Sequence, residues 1–157
     1  MSSYEPPKTD SDLLLAWLRR ARESQFAHYA FADKLAWKGQ TLGVPVILLT
    51  TLVGASALSS VAAEVVPTYA KVIVGALSLL AAVLSGLQTF FKYAERADKH
   101  RVFGARYGAL RRELEQLHSN GGKTNDKVRQ ALDKLAEDAP AVPESIFRSV
   151  DETAKRD

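Results

Sequence analysis

Cysteine is absent from this 157-residue chain, and histidine occurs only three times. Without cysteine the chain can form no disulfide, thiolate nucleophile or cysteine-ligated metal site. The histidines, His28, His100 and His118, are not at metal-ligand spacing within one helix, so no zinc site is expected. Gly104 and Gly108 lie inside a helical pattern without a following GK[ST], which is not the pattern of a phosphate-binding loop. We therefore expect neither an enzyme nor a bound cofactor or metal.

Charge is missing from two long segments in the middle of the chain. Charged residues make up 25% of the sequence, which would suit a soluble domain, yet the 22 residues from Leu42 to Ala63 and the 20 from Val72 to Phe91 carry none. Each segment is long enough to cross a bilayer core of about 30 Å as a helix. The alternative, a helical pair buried in a soluble bundle, would need about 100 other residues to cover two segments that are apolar on all sides. The sequence therefore predicts transmembrane helices over 42–63 and 72–91, joined by a loop over 64–71.

Before the first span, the pattern predicts a disordered tail over 1–10 and an amphipathic cytosolic helix over 11–38, capped by Ser11 or Asp10. Acidic residues precede its early apolar run and arginines follow it, the wrong charge order for a secretory signal. Trp37 and Lys38 occupy the place of interfacial anchors. The small residues Gly39 and Gly43 favour close helix packing at the membrane entry, and Pro45 indicates a bend there.

After the second span, no helix breaker appears before Gly104, and the helical pattern continues to about His118. Its apolar seam repeats every seven residues and predicts packing on the N-terminal amphipathic helix in a cytosolic bundle. The seam residues are Tyr93, His100, Phe103, Tyr107, Leu110, Leu114 and Leu117. Gly121 and Gly122 end this helix, further helices are expected over 125–150, and a charged tail over 151–157.

Positive charge is distributed unequally around the two predicted spans. Nine Lys and Arg residues flank their outer ends, against Lys71 alone in the connecting loop. Because positive residues stay in the cytoplasm, both termini are expected there. The sequence pI near 9.2 indicates attraction to anionic lipid headgroups rather than to nucleic acid. The residues expected at the headgroups are Lys38, Lys92, Arg96, Lys99 and Arg101.

The second predicted span carries a narrow stripe of small and polar residues. Its members, at spacings of four, three and four, are Ser78, Ala82, Ser85 and Thr89, with Gln88 adjacent. Small residues and hydroxyl groups are typical of helix-packing faces, and Ala82 with Gly86 forms a second close-packing pair. In an oligomer the same stripe could line a water-filled pore. No ionisable group lies inside either span, so a proton relay is not indicated.

The order of the predicted helices along the chain, together with several local motifs, resembles the SLATT domain, a bacterial two-transmembrane effector family. An amphipathic helix with Arg19, Arg20, Arg22 and the pair His28-Tyr29 precedes the spans. The segments Phe91–Ala97, His100-Arg101 and Leu110–Glu115, with Tyr107 between them, look like the family's post-membrane helix, and Ala139–Pro143 is similar to its closing segment. The resemblance covers residues 13–150.

This resemblance implies a homo-oligomeric effector that perforates the inner membrane during antiphage defence. The trigger would come from a separate partner that makes or senses a nucleotide signal. Two helices cannot enclose a water path alone, so a pore would require several copies. Two alternatives remain open: a holin-like lysis protein, and a non-conducting membrane adaptor that anchors a cytosolic partner.

Overall fold

The computed structural model describes residues 6–62, 66–121 and 123–154. Within these ranges the chain is helical and contains no strand, which confirms the predicted all-α class. The helices are α1 (Asp10–Ala62), α2 (Thr68–Phe91), α3 (Tyr93–Ser119), α4 (Asp126–Asp138) and α5 (Glu144–Ala154). Two of them, α1 and α2, contain segments long and apolar enough to cross a membrane.

The first helix begins one residue earlier than the sequence predicted. The Thr9 hydroxyl accepts a hydrogen bond from the Asp12 backbone N–H at 3.1 Å, and the Asp12 carboxylate accepts one from the Thr9 N–H at 3.2 Å. This reciprocal pair is a capping box, and it satisfies backbone donors that the first turn leaves free. Thr9 therefore caps α1, in place of the expected Ser11 or Asp10. Of the predicted disordered tail, residues 1–5 lie outside the described ranges.

The predicted boundary between a helix over 11–38 and a separate span from 42 is not present. Helix α1 runs unbroken through this stretch, with Pro45 in its interior. Proline removes one backbone donor from the ladder, at a cost of roughly 3 kcal/mol in a helix interior. Ending the helix here would leave several backbone N–H and C=O groups without hydrogen bonds beside apolar side chains. Continuing the helix through Pro45 therefore costs less free energy. Ala63 and the first two residues of the predicted loop over 64–71 lie outside the described part of the chain, and α2 begins inside that loop, at Thr68.

The predicted continuous helix from the second span to about His118 is instead two helices separated by Lys92. This residue has a left-handed backbone, with φ 46° and ψ 42°, and is the only non-glycine residue with positive φ among those described. Its N–H still donates to the Gln88 carbonyl at 3.2 Å, and its carbonyl accepts from Arg96 at 3.0 Å. The helical period therefore survives on both sides of the break, which is why periodicity alone did not reveal it.

The C-terminal helices are bounded by local signals. Gly121, with φ 64°, follows the end of α3. The Asn125 side chain caps α4 by accepting from the Val128 N–H at 2.9 Å. Pro140 lies between α4 and α5. Helix α4 ends before it because proline supplies no backbone donor and disfavours helical backbone at the preceding residue. Helix α5 extends to Ala154, into the region predicted as a charged tail.

The chain divides into two compact units. The terminal unit comprises Met1–Asp33 with Ala97–Asp157, and the central unit comprises Lys34–Arg96. The core of the terminal unit takes two residues each from α1, α3 and α4, and these are Leu14, Ala21, Leu110, Leu114, Val128 and Leu132. Leu14 and Leu114 are fully buried, as expected for apolar residues that repeat at helical spacing.

The central unit has the opposite distribution of apolar surface. Only 6% of the residues in each of its two hydropathic windows are buried. The side chains of Leu58 and Phe90, for example, are 77% and 79% exposed. Within this unit α1 makes close approaches where glycine permits, with Gly43 beside Gln88 of α2 and Gly39 beside Tyr93 at the start of α3.

Candidate functional site

The predicted stripe on α2 lies mostly away from the face that packs on α1. Ala82, Ser85, Gln88 and Thr89 are exposed, whereas Ala81, one residue earlier than Ala82, is the buried small residue of α2. The face towards α1 continues through half-buried side chains at helical spacing, including Val74, Leu77, Ser78 and Leu84. The structure therefore separates the stripe from the packing face inside the chain, except at half-buried Ser78 and at the adjacent Gln88, whose amide approaches Gly43 of α1.

The hydroxyl groups of this stripe are partly satisfied by the helix itself. Ser78 donates to the Val74 carbonyl at 2.7 Å, and Thr89 donates to the Ser85 carbonyl at 3.1 Å. Such back-bonding lets hydroxyl side chains reside in an apolar environment without a partner on another helix. Ser78 also lines a groove of about 770 Å³ between α1 and α2, together with Ser56, Ser60 and Lys71.

The glycines predicted to pack do so to different extents. A Cβ atom at Gly43 would lie 3.2 Å from the Gln88 amide nitrogen, and one at Gly39 would lie 3.3 Å from the Tyr93 Cβ. Gly86 has nothing within 4 Å of such an atom, so it makes no close approach among the described residues.

The seam predicted on α3 lies on its inner side. His100, Tyr107, Leu110 and Leu114 are buried, and the remaining members are half-buried: Tyr93, Phe103 and Leu117. Close approach on this side requires Gly104, where a Cβ would lie 3.1 Å from the Tyr29 ring.

The five cations expected at lipid headgroups are all exposed: Lys38, Lys92, Arg96, Lys99 and Arg101. Lys92 pairs with Glu95 at 3.6 Å, and Arg101 pairs with Asp98 and Asp33 at 3.4 Å and 3.7 Å. Exposed ion pairs of this kind contribute at most about 1 kcal/mol, so the cations can exchange them for phosphate contacts. Trp37 is also exposed, which leaves its indole free to lie at a membrane interface.

A pair of buried histidines is the polar centre of the terminal unit. His28 on α1 and His100 on α3 are 3% and 4% exposed, and their Nδ1 atoms are 2.9 Å apart. The two rings share one hydrogen bond, in which one Nδ1 donates and the other accepts. Aromatic rings surround the pair, with Phe103 and Tyr107 stacked on His28 and Phe31 edge-on to His100.

A cleft of about 440 Å³ opens beside this pair. Polar side chains from α1 line one side, namely Arg20, Glu23, Ser24 and His28, and Tyr107 of α3 adjoins them. The opposite side is apolar and comes from the end of α4, the segment Ala139–Val142 and Phe147 of α5. The cleft therefore combines charged groups, buried ring nitrogen and hydroxyl groups, and an apolar wall, as small-molecule sites do.

Burial shifts the ionisation of the two buried aromatic groups in this cleft. Burial, and secondarily the charge on His100, lowers the pKa of His28 from 6.5 to about 4. Burial raises the pKa of Tyr107, opposed by the Arg20 charge and by a hydrogen bond with Ser24. At neutral pH the cleft therefore presents a neutral imidazole and a neutral phenol.

Sequence reasoning located His28, His100 and Tyr107 on packing seams but not the cleft beside them. The available signal was the spacing of Arg20, Ser24 and His28, which places polar side chains on one face of α1. Polar faces of this kind are common on the solvent side of amphipathic helices. This face becomes one side of a cleft only because α5 and the segment before it cover it.

Comparison of the chain with protein-family models, with curated proteins and with solved structures gives no match.

Proposed function

We propose that this chain is an oligomeric effector of the bacterial inner membrane that forms a pore or disrupts the bilayer when a separate partner signals. In this proposal α1 and α2 cross the membrane as a hairpin, and the terminal unit forms a cytosolic helical bundle. The chain acts without catalysis, cofactor or nucleic acid.

The observation that carries the proposal is the exposure of the apolar segments. A core helix of a soluble protein buries its apolar side chains, whereas the two hydropathic windows here are 6% buried. Apolar surface of this extent on two helices favours a lipid environment over water. In that environment helical backbone groups are satisfied internally, which agrees with the unbroken course of α1 through Pro45.

Pore formation is supported by the position of the α2 stripe. Ala82, Ser85 and Thr89 are exposed on the single chain and lie off the face that packs on α1. Exposed polar groups in a lipid-facing position favour contact with another copy or with water. A ring of copies that turn these stripes inward would place hydroxyl groups along a central path.

The resemblance to SLATT domains supports the biological setting, which is antiphage defence triggered by a partner that makes or senses a nucleotide signal. The excess of Lys and Arg outside the loop supports cytoplasmic termini, where such a partner would be accessible. The holin-like alternative would conduct without a trigger, and the adaptor alternative would not conduct at all.

The variant Ser85→Leu tests the conducting path. Leucine favours membrane insertion, so the helix should remain in the bilayer while the path becomes narrower and drier. We expect depolarisation on triggered expression to fall at least about tenfold, because an apolar constriction excludes water and ions. The oligomer size in detergent should be unchanged.

Ala76→Leu is the matched control, because Ala76 is also exposed and lies nine residues away, on the opposite side of α2. It should leave depolarisation unchanged. Full depolarisation by an intact Ser85→Leu oligomer would remove the pore assignment, and loss of the oligomer would make the stripe a packing face. Toxicity without any trigger would favour a holin, and a parent protein that never depolarises cells would favour an adaptor.

A further inference from the structure

We propose that the cleft beside His28 binds a small aromatic zwitterion, the chemistry of a free aromatic amino acid. Arg20 holds the carboxylate, Glu23 holds the ammonium group, and the apolar wall covers the ring. This binding function is separate from conduction and does not depend on it.

The floor of the cleft contains polar groups that are buried yet still have hydrogen-bonding capacity. His28 is 3% exposed and Tyr107 is 5% exposed, and both line the cleft. His28 uses Nδ1 for the hydrogen bond with His100, and the same side chain lines the cleft. Polar groups of buried side chains usually have hydrogen-bond partners in native proteins, so the imidazole and phenol that line this cleft are suited to a polar ligand or water there.

The charges at the rim define the ligand. Arg20 and Glu23 are three residues apart on α1, both are exposed, and both line the cleft. Side chains at this spacing are neighbours, with Cβ atoms about 5–6 Å apart, so they can engage two adjacent, oppositely charged groups of one molecule. One cation and one anion beside a neutral imidazole match a zwitterion better than a polyphosphate, which requires several cations.

The remaining wall suits a flat apolar group. Pro140, Val142 and Phe147 line the side opposite the charges. The volume of about 440 Å³ lies within the range of about 300–1,000 Å³ that is usual for small-molecule sites. Aromatic rings of His28 and Tyr107 on the floor add surfaces for offset or edge-on stacking.

The test is isothermal titration of the full chain in lipid nanodiscs with three probes that differ in charge. L-Phenylalanine carries both charges, phenylacetate lacks the ammonium group, and phenethylamine lacks the carboxylate. We expect phenylalanine to bind tightest and each analogue to bind at least about tenfold more weakly, the effect of losing one charge-assisted contact. Equal binding of phenylalanine and phenylacetate, or no binding of phenylalanine, would overturn the proposal.

Variants of exposed residues show whether binding occurs at this cleft without disturbing the core. Arg20→Gln and Glu23→Gln should each weaken phenylalanine binding about tenfold. Arg19→Gln is the control, since Arg19 is a neighbouring exposed arginine that does not line the cleft. Phenylalanine should also shift the imidazole NMR signal of His28. Binding that survives Arg20→Gln, or a His28 signal that stays unmoved at saturation, would place the ligand elsewhere and refute the assignment.

Discussion

At the residue scale, the His28–His100 contact links stability to pH. The contact excludes protonation of both rings at once, because two protonated Nδ1 atoms would leave no acceptor for the 2.9 Å hydrogen bond between them. Burial adds to this exclusion and lowers the pKa of His28 to about 4. The folded chain therefore binds fewer protons than the unfolded chain between pH 6.5 and about 4.

The sign of the pH dependence follows directly. The stability that neutral His28 contributes is fully present above pH 6.5 and is lost progressively as the pH falls towards 4. The loss is at most roughly 3 kcal/mol for a depression of this size. We expect the melting temperature in detergent to fall over this range, and the fall to be smaller in His28→Gln than in the parent. His118→Gln, which changes an exposed histidine, should retain the parent's profile; a His28→Gln profile identical to the parent's would exclude His28 as the titrating group.

At the scale of elements, the break between α2 and α3 depends on a single left-handed residue. A lysine in this conformation costs roughly 1–2 kcal/mol, because its Cβ crowds the following carbonyl. Its exposed ion pair with Glu95 offsets little of that cost. A glycine would adopt the same backbone without the steric penalty.

Lys92→Gly should therefore stabilise the protein by about 1 kcal/mol, although glycine is unfavourable in most helices. Lys99→Gly makes the same change inside α3, where it should destabilise by roughly 1 kcal/mol. Thermal unfolding of the two variants beside the parent measures the difference. Two destabilised variants would mean that residue 92 is helical in solution.

At the scale of the whole molecule, the proposed topology can be tested because the chain lacks cysteine. Any thiol label therefore reports an introduced residue alone. Tyr69 is exposed near the start of α2 and belongs to the segment 64–71 that is expected outside the cell. Ser119 is exposed at the end of α3, where the cytoplasm is expected.

In intact cells, a membrane-impermeant maleimide should label Tyr69→Cys and leave Ser119→Cys unlabelled, because charged reagents do not cross the bilayer core. Permeabilisation should expose Ser119→Cys, which controls for its reactivity. Labelling of Ser119→Cys in unbroken cells would contradict cytoplasmic termini.

The sequence by itself determined the features that depend on periodicity and local composition. Two uncharged segments established two potentially membrane-spanning helices, and the seven-residue repeat placed Leu110 and Leu114 on an inner face. Each follows from interactions over a few residues or from the apolar character of one face.

The tertiary structure alone decided what depends on contacts between distant residues. The His28–His100 hydrogen bond joins residues 72 positions apart, and the cleft beside it needs α5 to cover one face of α1. The left-handed Lys92 and the exposure of Ser85 were equally inaccessible, because a single backbone rotation preserves the helical period and a helix pattern does not state which face meets a neighbour. Local sequence specifies helices and their apolar faces, and packing determines which faces remain free to act.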